Sequence, residues 1–185
     1  MSDLFLVLIH YPCLDRQGRI VTTAITSLDL HDIVRSARTF GVRAVYIANP
    51  VREQREFAAR VRDHWFEEPG RKFDSRRREA LELMRIVDDL DQAVADIEQM
   101  TRRRPILVYT SAQARDGISC DQLRERMSSD DSPILLMFGT GFGLAPAVRE
   151  RADLILKAIE GGGDDYNHLS VRAAVAIFLD RLRSR

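Results

Sequence analysis

Lysine is nearly missing from this chain: of 28 basic residues in 185, only Lys72 and Lys157 are lysine, and all the others are arginine. Neither closes a G-x-x-x-x-G-K-[ST] pattern, so a phosphate-cradling P-loop is excluded. Cysteine is as scarce. Cys13 and Cys120 lie far apart and belong to no C-x-x-C or Cys/His spacing, which argues against a disulfide scaffold and structural zinc. The four histidines are scattered without an i, i+4 ligand pair, so no metal site is indicated. Long apolar runs are absent too: Ile134 to Phe138 falls far short of the roughly 18 residues a membrane span needs, and the N-terminus has no signal-peptide pattern. A soluble, cytoplasmic protein is expected. A net charge of +0 excludes a general polyanion-binding tail. With 45% apolar residues and no repeat, low-complexity segment or linker, residues 1–185 are expected to form one domain.

What is present is arginine in clusters, at Arg71-Lys72, Arg76 to Arg78, Arg102 to Arg104 and Arg181/Arg183/Arg185. The planar guanidinium fork suits phosphate. Such clusters form a nucleic-acid footprint only if folding gathers them on one side. Along the chain, Leu4 to His10 reads as a buried strand followed by the turn formers Pro12, Asp15 and Gly18. Leu30, Ile33, Val34 and Ala37 recur at helical spacing between Ser27 and Gly41. A strand ending at Asn49-Pro50 and a helix to His64 follow, and Pro69-Gly70 opens an Arg-rich stretch to Arg78 expected as surface loop. The alternation continues: Met84 to Val87 strand, Asp89 to Thr101 helix, Pro105 to Thr110 strand, Cys120 to Met127 helix, Pro133 to Phe138 strand, an apolar segment from Leu154 to Ile159, and a last helix within HLSVRAAVAIFLDRL. Apolar strands alternating with helices predict an α/β fold with a parallel sheet flanked by helices.

The strongest local feature is the strand PILLMF running into GTGFGL. Glycines directly after a parallel strand let backbone N–H groups approach a ligand, and the same glycines also suit a plain tight turn. A dinucleotide fingerprint belongs after the first strand, with an acidic residue about 20 positions later, and this run follows a late strand. The second feature, GGGDDYNHLSVRAA, gathers Tyr166, Asn167, His168 and Ser170 at a helix start; taken alone, Asn167 or Ser170 there is an N-cap.

In combination, LLMFGTGFGL, LILKAIEG and YNHLSVRAAVAI, preceded by HDIVRSARTFGVRAVYIANP, resemble the SPOUT (SpoU/TrmD) methyltransferase superfamily. More narrowly, with LIHYP, IVTTAIT and the N-P-x-x-x-Q-x-E segment after Asn49, the chain resembles its bacterial RNA methyltransferase subfamily sometimes fused to a tRNA guanine methyltransferase. The resemblance covers essentially the whole chain. It implies a C-terminal deep trefoil knot, a homodimer, and S-adenosylmethionine as cofactor. The cofactor would lie among three loops: Thr110 and Ser111; Phe138, Gly139, Thr140, Gly141, Gly143 and Leu144; and Ile159 and Gly161 through His168, Leu169, Ser170 and Val171 to Ala174.

Matched residue by residue, Arg35 falls where SpoU-type members place a functional arginine, and Ser170-Val171 match the S-V of the last motif. His168 takes the place of the usual Asn, with Asn167 one residue earlier; Gly141 stands in place of the usual Glu, and Asp29 in place of an Asn. The resemblance thus implies Arg35, from the partner subunit, together with His168, Asn167 and Ser170 as the catalytic set. The implied activity is methylation of RNA, tRNA foremost, at a ribose 2′-oxygen or a base. Two competing readings are a non-catalytic RNA-binding or assembly protein that retains the knotted fold, and an α/β enzyme binding another nucleotide at the GTGFGL turn.

Overall fold

The computed structural model describes residues 2–68, 74–163 and 166–184. The Pro69-Gly70 break, Arg71-Lys72 and Arg185 lie outside the described residues. Strand β1 (Leu4–Ile9) is buried at every position. Leu4, Leu6 and Leu8 face one hydrophobic cluster, and Phe5, Val7 and Ile9 face the other. This is why the strand reads as an unbroken apolar run rather than an alternating one: a sheet covered on both faces has no polar side. Two short strands follow, β2 (Cys13–Leu14) and β3 (Ile20–Val21), paired antiparallel. The sequence reading found only turn formers here; Asp15 does hold the turn, its Oδ1 accepting from the N–H groups of Gln17 and Arg19 at 2.8 and 2.9 Å.

Helix α1 (Ser27–Thr39) is capped by Thr26 and buries Leu30, Ile33, Val34 and Ala37, the four residues its periodicity singled out. Gly41, at φ +68°, ends it, with the Val42 N–H reaching back to the Ala37 carbonyl at 2.9 Å. Then come β4 (Ala44–Ala48), α2 (Arg52–Asp63), α3 (Ser75–Leu81) and β5 (Met84–Val87). Helix α3 corrects the expected loop through Arg76 to Arg78. The Asp74 carboxylate caps it by accepting from the N–H groups of Arg76 and Arg77, while Ala80 and Leu81 go into the core.

The second half runs α4 (Leu90–Thr101), β6 (Ile106–Tyr109), α5 (Cys120–Ser129), β7 (Ile134–Gly139), α6 (Pro146–Arg149), β8 (Leu154–Ile155) and α7 (Val171–Arg183). The six-stranded sheet has order β5-β4-β1-β7-β6-β8, and every pairing in it is parallel. On one face lie α1, α5 and α7, which bury Leu123, Met127, Phe178, Leu179 and Leu182; α4 covers the other with Leu90, Ala93 and Ile97. Strand β7 is inserted between β1 and β6, so all three carboxyl ends open at one edge, where ligands of parallel sheets bind. Among the described residues no helix is long and apolar enough to cross a membrane.

Leu6, 1% exposed in the central strand, tests this packing. Leu6→Ala is expected to cost about 3 kcal/mol in urea denaturation, the size of a buried leucine plus its cavity; a loss under about 1 kcal/mol would mean the strand is not at the centre of the core.

Candidate active site

The loop after β7 is shaped by its glycines. Gly141 and Gly143 adopt φ +63° and +107°, values an L side chain disfavours, and a Cβ on Gly141 would approach the Leu14 carbonyl oxygen to 3.0 Å. Strand β2 clamps this loop through its backbone. The Phe142 N–H donates to the Leu14 carbonyl at 3.0 Å, the Leu14 N–H to Gly143 at 2.9 Å and the Ala145 N–H to Pro12 at 3.0 Å. Cys13 and Leu144 form a bridge between them.

Behind the loop lies a buried polar chain. His10 is fully buried, its Nδ1 3.0 Å from Thr23 Oγ1, and Thr23 Oγ1 in turn meets Thr140 Oγ1. His10 Nε2 is buried and has no hydrogen-bond partner among the described residues. A proton on Nδ1 is therefore the better tautomer, because it leaves only a lone pair unmatched. Burial lowers the His10 pKa from 6.5 to about 4, against the opposing pull of Asp29.

Two further loops complete the site. Past β6, Thr110 is buried and donates to the Met137 carbonyl at 2.8 Å, while Ser111 Oγ accepts from the Gln113 N–H at 3.1 Å. Past β8, the chain runs beside this loop: Lys157 N–H donates to Ile118 at 3.0 Å and Ala158 N–H to Ala114 at 2.8 Å. Asn167 Nδ2 then reaches the Ala112 carbonyl at 3.3 Å, and Ser170 caps α7 by accepting from the Ala173 N–H at 3.3 Å. Tyr166 meets His168 edge to face, with centroids 6.3 Å apart.

Together the loops enclose a cavity of about 480 Å³, within the range of small-molecule sites. It brings together Thr110, Ser111, Phe138, Gly139, Thr140, Gly141, Gly143, Leu144, Ile159, Asn167, His168, Leu169, Ser170, Val171 and Ala174, all of them singled out in the sequence. Gly161 and Arg35 are not among its walls; Arg35 lines a separate groove. Phe142, within the expected Gly139 to Leu144 loop, lines it too, and Ala112, Gln113, Phe178 and Asp29 also line it and were not expected there. Asp29 did carry a signal in the sequence, its place at the motif position where an Asn is usual. Thr26 Oγ1 donates to its carboxylate at 2.7 Å, and Arg172 Nε approaches it to 3.3 Å.

The donor set decides which ligand fits. Among the described residues lining the cavity, Asp29 carries the only formal charge, and neither lysine nor arginine is present. A polyphosphate has nothing to neutralise it there, which removes the support for another nucleotide at the glycine turn. The apolar faces of Leu144, Ile159, Leu169, Val171 and Ala174 suit a purine, and with Arg172 paired to Asp29 the described lining carries no unpaired cation to repel a positively charged ligand. S-adenosylmethionine, a purine nucleoside carrying a positively charged sulfur, fits this set.

The fold, a parallel sheet flanked by helices, is that of solved SpoU methyltransferases. The chain superposes on the SpoU methyltransferase AviRb from Streptomyces viridochromogenes, solved in complex with AdoMet, with a TM-score of 0.60 at 17% identity over 98% of this chain and 57% of that one. The sequence profile of the SAM-dependent RNA methyltransferase family matches residues 3–184, and the chain belongs to that family. An uncharacterized protein of Aquifex aeolicus is 42% identical over 185 residues, all of this chain and 90% of the relative. A tRNA (guanine-N(1)-)-methyltransferase of Oleidesulfovibrio alaskensis is 41% identical over 180 residues, and the chain spans 42% of that relative's length.

The His10 chain gives a pH signature. Its folded pKa is depressed, so above pH 6.5 the imidazole is neutral in both states and carries no penalty. Between pH 6.5 and about 4 the unfolded chain takes up a proton that the folded chain refuses, and stability falls. The loss is on the order of 3 kcal/mol. Urea titrations at pH 7 and pH 4.5 should show a clearly smaller fall for His10→Gln than for the unsubstituted protein; parallel falls would exclude this imidazole as the source.

Proposed function

We propose that this protein methylates tRNA at the three-loop cavity, as a homodimer in which each cavity is completed by Arg35 of the other copy. The observation that carries the reading is the cavity's donor set: apolar walls, glycine backbone and one carboxylate, with no arginine among the described residues lining it. Membership of the RNA methyltransferase family supports the reaction class, and the named activity of the Oleidesulfovibrio relative supports tRNA as substrate. We also propose a C-terminal trefoil knot, in which residues 156–163 and 166–170 lie against the loop 110–119. The backbone bonds between 157–158 and 114–118, and the Asn167 bond to Ala112, support that path.

When bound, S-adenosylmethionine supplies a methyl group on a sulfonium, which leaves as a neutral thioether once an oxygen or nitrogen takes the methyl. The chain's own part is to hold, orient and deprotonate. Leu144, Ile159, Leu169, Val171 and Ala174 would exclude water from the purine, and Thr110, Ser111 and the Gly139–Gly143 backbone would hydrogen-bond the nucleoside. Asn167, His168 and Ser170 stand where the acceptor would enter, all three exposed. The His168 imidazole is the group suited to take the acceptor's proton, and Asn167 and Ser170 would position the third loop. Arg35, 60% exposed and only 3.9 Å from Asp32 at its nearest acid, is free to reach a phosphate beyond its own subunit.

Arg35→Ala is expected to lower tritiated-methyl transfer to tRNA by about 100-fold or more, with S-adenosylmethionine affinity by calorimetry changed less than about twofold. Full transfer by the variant would remove Arg35 from the mechanism. Sedimentation should give a dimer; a fully active monomer would contradict the shared site.

A further inference from the structure

A second cavity, also of about 480 Å³, lies between α1 and α3. Arg35 and Arg38 enter it from α1 and Arg76 and Arg77 from α3, with Asp74 and Glu79 as the only carboxylates among the described residues lining it. Two arginines separated by about forty residues in sequence thus meet two others, the convergence that a charge cluster needs before it acts as a footprint. The groove presents no large apolar side chain, so it is not shaped for a purine or for a hydrophobic partner segment.

The arginines differ in how they are held. Arg77 is fixed, its guanidinium carbon 4.6 Å from the Trp65 ring centroid and its Nε 3.7 Å from Asp74. Arg38 pairs with Glu79 at 3.6 Å, both side chains half exposed, an arrangement that exchanges readily for another anion. Among the described residues Arg76 has no side-chain ion pair or hydrogen bond; only its backbone N–H is engaged, with Asp74. The groove therefore offers guanidinium forks whose own carboxylates do not satisfy them.

Its place relative to the methyl-transfer site follows from Arg35, which lines this groove and which the proposed function sets at the cavity of the other copy. Arg38 lies three residues further along α1, about 4.5 Å at 1.5 Å per residue, so a strand that reaches Arg35 passes over Arg38 as well. We infer that the α1/α3 groove binds the phosphodiester backbone of the RNA strand flanking the nucleotide presented for methylation. This rests on the RNA methyltransferase reading above and extends it to Arg38 and Arg76.

The test compares the unsubstituted protein with Arg38→Gln/Arg76→Gln and with Arg38→Lys/Arg76→Lys. The probe is a fluorescein-labelled, mixed-sequence single-stranded RNA of about 20 nucleotides, titrated by anisotropy from 50 to 200 mM salt. The Gln pair should bind on the order of tenfold more weakly at the low-salt end, and its slope of log affinity against log salt should be shallower by about 1.4, two contacts' worth. The Lys pair should retain most of the slope, and all three proteins should bind S-adenosylmethionine equally by calorimetry. Unchanged RNA affinity and slope in the Gln pair would overturn the groove and leave the proposed function standing, whereas equal losses in both pairs would make the arginines structural and overturn it as well. Failure of the unsubstituted protein to bind RNA would overturn the proposed function and the groove with it. Binding of a poly-glutamate peptide in place of RNA, lost in the Gln pair, would mark a protein-docking surface and overturn the inference.

Discussion

The site is held open by backbone rather than by side chains. Strand β7 ends in a loop whose two left-handed glycines lift it from the sheet, and the short strand β2 with Pro12 before it catches the loop with three backbone hydrogen bonds. Because β1 pairs with β7 in parallel up to Gly139, the chain leaving β1 is already beside the loop when it turns back to clamp it. The His10–Thr23–Thr140 chain fixes the loop from behind with a buried neutral imidazole. Without this clamp, the gap between the carboxyl ends of β6 and β7 would close over its own apolar walls, since an empty apolar cleft loses packing on every side.

Charge is sorted with equal economy. A chain with 28 basic and 28 acidic residues has no net field to steer a polyanion, so local placement decides where anions bind. The arginines stay out of the cavity that suits a cationic sulfur and gather on the far part of α1 and on α3. Arg172 is the exception near the cavity, and it is tied to Asp29 and Asp32 at 3.3 and 3.1 Å. That pairing joins α7 to α1 and keeps the guanidinium turned to its own carboxylates.

Much of this was legible in the sequence, for reasons that differ by element. β1 and β7 announced themselves because both faces of the sheet are covered, which leaves apolar runs with no polar interruption. The glycine wall of the cavity was legible because GTGFGL follows the end of a strand, where ligand loops belong, while the other walls were named only through the family resemblance. The β2 clamp was not, because a two-residue strand has no periodicity and its partner lies about 130 positions away. Asp29 was legible only as a departure from a motif Asn, because local spacing cannot report that Arg172 of α7 packs against it. Arg35 sits where its motif puts it along α1, and only the packed structure shows that it opens toward α3. Arg76 to Arg78 read as loop because the cap, Asp74, is a single residue whose effect depends on Leu81 finding the core.

The most direct test of the three-loop cavity as the methyl-donor site is amide hydrogen exchange with and without S-adenosylhomocysteine, the demethylated product of the donor. Slowed exchange confined to residues 110–113, 139–144 and 159–171, with the α1/α3 groove unchanged, is the expected result. No protection in those loops at saturating ligand, or protection concentrated elsewhere, would contradict the account.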